Sequence, residues 1–173
     1  MILTAKKIEE EVKKGNIAIT PFSRKCLKPN SYIYHLGAKI VEVINVGDRK
    51  RPPKIKEMTI PKNGYVLEPN KLYLGTTVEK IGSKKYVTSL IGRNRIAKLG
   101  MFLQITADLG QLGRAHKWTL EIMVVKKLRI YPKMEIGQVT FWKTKGRRNV
   151  GEDEFYATKD IPYPSQLFNQ GQK

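Results

Sequence analysis

The chain has 173 residues, and its 33 basic and 15 acidic side chains give a net charge of +18. A hydrophobic fraction of 40% with 28% charged residues is typical of a globular protein with one core. No apolar run reaches the roughly 18 residues that cross a bilayer, and acidic residues interrupt the N-terminus where a signal peptide would be apolar. We therefore expect no membrane partner and a cytoplasmic or virus-associated location.

One helix is predicted at the N-terminus. Ala5, Ile8 and Val12 recur on one face of a helix with 3.6 residues per turn. Thr4 precedes them as a suitable N-cap, and Gly15 follows as a helix end.

The rest of the chain is predicted to form β-strands. Seven short segments are rich in β-branched and aromatic residues and are separated by turn residues: 32–46, 64–69, 71–81, 86–92, 101–109, 118–125 and 134–142. They predict a mainly β protein, a distorted antiparallel β barrel or sandwich, with the N-terminal helix and a short helical turn near residues 93–99. A charged stretch at 146–154 separates a predicted β domain at 1–150 from a C-terminal arm at 151–173.

Metal ligands of the nitrogen and sulfur type are scarce. Cys26 is the single cysteine, and His35 and His116 are the only histidines. These three residues are too few for a disulfide or a Cys- and His-based zinc cluster. We expect chemistry without zinc, and we interpret His116 as a turn residue.

The positive charge is clustered. Basic residues concentrate at 24–28, 48–56, 82–85 and 143–148. Such patches favour a polyanionic partner, which could be nucleotide phosphates, nucleic acid or an acidic protein surface. A generally basic surface that maintains solubility is the plainer interpretation.

Six stretches in a fixed order carry a resemblance to a known family: MILTAKKIEEEVKKGNIAITPF, PNSYIYHLG, LGTTVEKI, IGRNRIAKLGMFLQITA, TLEI and IGQVTFWK. Together they resemble the dCTP deaminase branch of the trimeric dUTPase-like superfamily. The resemblance implies a distorted barrel, a homotrimer with active sites at subunit interfaces, and a C-terminal arm that packs on a neighbouring subunit.

The resemblance also implies a catalytic carboxylate. Glu121 in TLEI matches the family's general acid/base, which activates a water for attack on the cytosine ring. Thr119 on the same motif falls among the substrate-binding positions. A half-buried carboxylate has a raised pKa and can shuttle protons. Without the resemblance, Glu121 reads as an outward strand residue paired with a lysine.

The phosphate-binding motif is altered. The family sequence GRSSLAR becomes GRNRIAK, so that Arg93 is kept while the next positions hold Asn94, Arg95 and, at the end, Lys98. Arginine to lysine gives up a bidentate fork but keeps the charge. Gln138 in IGQ matches a position that contacts the nucleotide.

Two further positions depart from the family. Gln111 stands where an aspartate usually contacts the sugar, and Asp108 could replace that aspartate only if the loop is rebuilt. Tyr156 is the one residue of the arm that matches the family's grip on the triphosphate.

Two hypotheses follow. The first is a trimeric enzyme that acts on a pyrimidine deoxynucleoside triphosphate accompanied by Mg²⁺, by zinc-independent deamination or diphosphate hydrolysis. The second is a catalytically lapsed relative with a structural role, for example in a virion, or a nucleic-acid-binding role. The substitutions at the site and the charge of +18 motivate the second hypothesis.

Overall fold

The structure, a computed structural model, describes residues 1–45, 47–48, 50–104, 107–146 and 161–166. Within these ranges lie two helices, a 3₁₀ turn at Arg24–Cys26 and twelve strands. The helices are α1 (Ala5–Lys13) and α2 (Asn94–Ala97). The strands are β1 (Ala18–Thr20), β2 (Leu27–Lys28), β3 (Ser31–His35), β4 (Lys39–Val43), β5 (Ile55–Thr59), β6 (Tyr65–Leu67), β7 (Leu72–Gly82), β8 (Tyr86–Gly92), β9 (Met101–Leu103), β10 (His116–Val124), β11 (Leu128–Ile130) and β12 (Glu135–Lys143).

All the described strand pairs are antiparallel, as predicted. One sheet has the order β5-β4-β7-β10-β9, with β1 also paired to β7. A second sheet has the order β2-β3-β12-β8, and β11 pairs with β6. The described strands form open sheets and do not close into a barrel, so that the sandwich form of the prediction applies.

The core lies between the two larger sheets. Tyr34, Leu90 and Phe141 of the second sheet belong to the same buried cluster as Tyr73 and Leu120 of the first. Each of these side chains is fully buried. Alternation along the strands directs one face of each sheet to this cluster.

Helix α1 confirms the N-terminal prediction. Ile8 is fully buried against the core, and the helix ends before Gly15, whose φ of 73° only glycine adopts without strain. Thr4 occupies the N-cap position in an extended conformation, but its side chain makes no capping hydrogen bond. Helix α2 confirms the predicted helical turn near 93–99.

Two predicted strands are shorter in the structure than in the prediction. The segment 32–46 divides into β3 and β4 because Gly37 passes so close to Thr76 that a Cβ there would lie 2.5 Å from the Thr76 hydroxyl. The segment 101–109 ends as a strand at Leu103, because Gln104 takes a positive φ of 48°. Such a backbone conformation cannot continue a pleated strand.

One other interpretation was wrong, and four short strands were not predicted: β1, β2, β11 and β5, which lies partly within the basic patch at 48–56. His116, interpreted as a turn residue, is the first residue of β10. In the described part of the chain, no helix is both long enough and apolar enough to cross a membrane.

Candidate active site

A cavity of about 710 Å³ opens beside strand β10. Its wall combines this strand with the β4–β5 connection, the segment after β9 and a short part of the C-terminal arm. The lining includes Asn45, Asp48, Arg51, Leu74, Gln104, Ala107, Gly110, Gln111, Arg114, His116, Lys117, Trp118, Thr119, Glu121 and Tyr163. A space of this size is typical of a small-molecule site.

Glu121 projects from β10 into this cavity. Strand pairing holds its backbone opposite Leu74, and its carbonyl accepts a hydrogen bond from the Gln104 N–H at 3.3 Å. Its carboxylate forms no ion pair with the described residues, contrary to the plainer interpretation of a strand glutamate paired with a lysine. Burial raises the pKa of the Glu121 carboxyl above its usual 4.5. This carboxyl therefore exchanges protons closer to neutral pH than an exposed one does.

The first half of β10 forms a stiff wall. The Trp118 indole N–H donates to the Ile81 carbonyl at 2.9 Å, and the His116 ring lies 4.4 Å from the Trp118 ring, centre to centre. Burial lowers the pKa of His116, so that its imidazole is neutral at neutral pH. The Thr119 hydroxyl accepts a hydrogen bond from the Tyr163 backbone N–H at 3.3 Å. Thr119 therefore joins the wall to the arm.

The loop after β9 places Gln111, and not Asp108, at the cavity. The Asp108 carboxylate accepts a hydrogen bond from the Ser89 hydroxyl at 2.8 Å, and its carbonyl accepts one from the Leu90 N–H at 2.8 Å. Asp108 thus fastens the loop to β8. Gly110 fits between Trp118 and Thr88 with no space for a Cβ.

The other predicted binding residues lie elsewhere on this chain. Arg93, Asn94, Arg95 and Lys98 belong to α2 and its flanks, and none of them lines the cavity. The Arg93 guanidinium pairs with the carboxylate of Glu135.

Gln138 lies at the same end of the second sheet. It pairs with Ile91 in register, next to the pair formed by Gly137 and Gly92. Its Oε1 accepts a hydrogen bond from the Ser31 hydroxyl at 3.2 Å. The structure therefore divides the predicted set into a cavity group of Gln111, Thr119 and Glu121, and a turn group that contains Arg93 and Gln138.

Tyr156 lies outside the described residues. From the arm, residues 161–166 are described, and Tyr163, Pro164 and Ser165 line the cavity of their own chain. Across the described ranges, no group of three or more His, Cys, Asp or Glu side chains could hold a metal ion.

Gln104 and Trp118 line the cavity but were not predicted from the sequence as residues of the site. Gln104 lies within an apolar run, where one amide reads as an exposed strand position, and Trp118 reads as a core aromatic. They are identified as site residues by structural observations: both line the cavity, and Gln104 has a positive φ.

Comparisons with known proteins identify the family of the chain. A sequence model of the dCTP deaminase-like family matches residues 2–144. A "dCTP deaminase, dUMP-forming" from Hathewaya histolytica is 41% identical over 169 residues, which cover 97% of this chain and 98% of the relative. One from Clostridium acetobutylicum is 44% identical over 169 residues and 97% of each chain. The chain therefore belongs to the dCTP deaminase-like family, and the resemblance drawn from its motifs is confirmed.

One solved structure extends this likeness to the fold. A 2'-deoxycytidine 5'-triphosphate deaminase from Agrobacterium tumefaciens matches with a TM-score of 0.64 at 16% identity. The match covers 81% of this chain and 47% of the other, so this chain spans about half the length of that protein. At this level of identity the likeness supports the mainly β architecture alone.

Proposed function

We propose that this protein deaminates dCTP and releases dUMP. The observation that carries the proposal is Glu121, a carboxyl with a raised pKa and no ionic partner among the described residues, on the wall of a cavity large enough for a nucleoside. The curated relatives with this activity in their names are 36–44% identical to nearly the whole chain. The overall reaction is dCTP + 2 H₂O → dUMP + NH₄⁺ + diphosphate.

Glu121 acts as the general acid/base. Its carboxylate takes a proton from a water, whose oxygen attacks C4 of the cytosine ring and forms a tetrahedral centre. The carboxyl then returns this proton to N3 of the ring. The carboxylate next takes the proton of the new C4 hydroxyl and passes it to the amino group, so that ammonia leaves as the C4 carbonyl forms. Hydrolysis of the bond between the α and β phosphates by a second water completes the reaction. Gln111 and Thr119 contact the nucleoside from the same wall.

The triphosphate binds to the turn group. Arg93 and Lys98 supply positive charge, while Asn94 and Arg95 flank the phosphates with hydrogen-bond donors. Gln138 contacts the nucleotide beside them. Mg²⁺ would accompany the triphosphate and offset its negative charge, since phosphate oxygens suit this hard cation.

We further propose that the active site is completed in a homotrimer. Within the described part of one chain, the turn group does not line the cavity of Glu121, which supports a neighbouring subunit as its source. An exposed apolar patch supports this assembly: Phe102 and Met123 are opposite each other on β9 and β10, with Val125 beyond them, and all three are exposed. The domain at 1–150 forms the trimer body, and the arm at 151–173, with Tyr156, closes over a site.

Product analysis tests the activity. Purified protein is incubated with dCTP, and ammonia, dUMP and diphosphate are measured, with dUTP as a second substrate. Glu121→Gln should lower kcat by about 10²–10⁴-fold. Glu57→Gln is the matched control, because Glu57 is exposed on β5 and does not line the cavity. No ammonia from the wild type, or equal rates in the two variants, would refute the proposal.

Subunit complementation tests the shared site. Arg93→Ala and Glu121→Gln should each be nearly inactive alone. Unfolded together and refolded, they form mixed trimers in which some interfaces combine an intact Glu121 with an intact Arg93 of the next subunit. Recovered activity supports the shared site, and activity that stays at the level of the separate variants overturns it.

The alternative of a lapsed protein with a virion or nucleic-acid-binding role receives no support from the relatives. We do not propose it.

A further inference from the structure

Gln104 occupies an unusual position beside the proposed catalytic residue. It follows the last residue of β9, and its N–H extends the pairing with β10 by donating to the Glu121 carbonyl at 3.3 Å. Its φ of 48° is rare for a residue with a side chain. Because this conformation ends the strand alternation, Leu103 and Gln104 are both buried. Gln104 is among the residues that line the cavity, although it is only 6% exposed.

The amide of Gln104 is half satisfied. Its Nε2 donates to the Ala107 carbonyl at 3.4 Å, whereas its Oε1 is buried with no hydrogen-bond partner. The contact with a carbonyl fixes the orientation of the amide, because the nitrogen must face Ala107. Oε1 is therefore left as an acceptor. Among the described residues one other buried side-chain atom, Thr88 Oγ1, also has no partner, but Thr88 does not line the cavity.

We propose that Gln104 reads the 4-position of the pyrimidine: its Oε1 accepts a hydrogen bond from the 4-amino group of cytosine and thereby selects a 4-amino over a 4-oxo base. This inference rests on the proposed dCTP deamination and adds a specificity residue to it. The position suits the role, since Gln104 and Glu121 are joined through their backbones and line the same cavity.

The chemistry of the two bases explains the selection. Cytosine presents an N–H donor at position 4, and uracil presents a carbonyl acceptor there. An amide that is free to turn would accommodate both bases, but one fixed by Ala107 offers only its oxygen. The substrate therefore satisfies the buried acceptor, and the deaminated product leaves it unpaired. Sites built in this way discriminate strongly, because a buried polar group without a partner is costly.

Nucleotide binding by full-length protein tests the proposal. Dissociation constants for dCTP and dUTP are measured by titration calorimetry in the Glu121→Gln background, which prevents turnover. The parent should prefer dCTP. Gln104→Met keeps the length of the side chain but removes the acceptor. It should weaken dCTP binding by about tenfold and should not weaken dUTP binding.

Gln111→Met is the matched control, because it removes another amide from the same cavity. It should weaken dCTP and dUTP equally. An unchanged ratio of the two dissociation constants in a folded Gln104→Met protein overturns the proposal. If Gln104→Met does not fold, Gln104→Asn replaces it, since asparagine tolerates the left-handed backbone and its shorter side chain withdraws the carbonyl. Gln104→Asn must then lower the ratio of the dUTP dissociation constant to the dCTP dissociation constant.

Ammonia release from dCTP by the wild-type protein separates the two proposals. If ammonia is released but Gln104→Met leaves the ratio of the dUTP and dCTP dissociation constants unchanged, only the role of Gln104 is overturned. Absence of both release and dCTP binding overturns the deaminase proposal, and the Gln104 inference with it.

Discussion

Two glutamates of this protein are held in opposite ways. Glu11 on α1 is 2% exposed and surrounded by partners: Lys7 at 3.0 Å, Asn16 at 2.7 Å and Lys85 at 3.5 Å. The Lys7 ammonium lowers the pKa of Glu11 to about 2. Glu121 lines a cavity and has no ionic partner in the part of the chain that the structure describes, and burial raises its pKa.

The difference separates a structural carboxylate from the carboxyl that we propose as the general acid/base. Glu11 stays ionised and joins α1 to the β7–β8 turn, where Lys85 lies. Glu121 has no such ion pairs with the described residues to hold it in the ionised form. This property suits the proton transfer that we propose for it. Groups used for chemistry are often less stable in place than groups used for structure.

The largest effect on stability should come from Glu11→Gln. It removes charge-assisted hydrogen bonds from a buried position and should lower the free energy of unfolding by about 1–3 kcal/mol. Urea unfolding measures the change, with Glu10→Gln, whose pairing with Lys7 is exposed, as a control that changes stability by less than about 0.5 kcal/mol. The kcat for dCTP should not change in Glu11→Gln. A loss of activity without a loss of stability would reverse the assignment.

Acid should progressively remove the contribution of Glu11. Its pKa in the folded state is depressed, so its stabilisation is present above the ordinary pKa of 4.5 and is lost as pH falls from there toward 2. The difference in stability between wild type and Glu11→Gln should therefore shrink over that range.

The contribution of Glu121 to stability should depend on pH in the opposite direction. Its raised pKa favours folding at low pH, and this contribution is lost as pH rises through the raised value. Unfolding curves of the wild type, Glu11→Gln and Glu121→Gln from pH 7 to pH 2 measure both trends. If the two variants differed from the wild type in the same way at every pH, these expectations would be contradicted.

The smallest effect should come from Thr4→Ala. A bonded N-cap contributes about 1 kcal/mol, but the Thr4 side chain makes no capping hydrogen bond. We expect a loss below about 0.5 kcal/mol in the same urea assay. A loss of 1 kcal/mol or more would mean that the cap, in addition to Glu11, holds the helix in place.

The sequence predicted the elements whose patterns are local. The spacing of Ala5, Ile8 and Val12 is sufficient for α1, and the alternation in 118–125 is sufficient for most of β10. It failed where a contact distant in sequence decides the backbone. Gly37 against Thr76 divides one predicted strand, and nothing in the local pattern shows that approach.

The site was predictable only in part, and for a related reason. Motif order identified Glu121 and Gln111, and both line the cavity. The choice between Gln111 and Asp108 needed the hydrogen bond from Ser89, which lies on another strand. The half-satisfied amide of Gln104 depends on its burial and on its hydrogen-bond geometry, and neither can be predicted from the residue type.

Gly110 limits how this pocket can diversify. A Cβ added at Gly110 would overlap the Trp118 indole and the Thr88 hydroxyl, so that even alanine would displace one of these side chains. Adaptation to a bulkier or modified nucleobase must therefore proceed through other wall positions. Directed evolution that randomises the loop should recover glycine at 110 in every active clone.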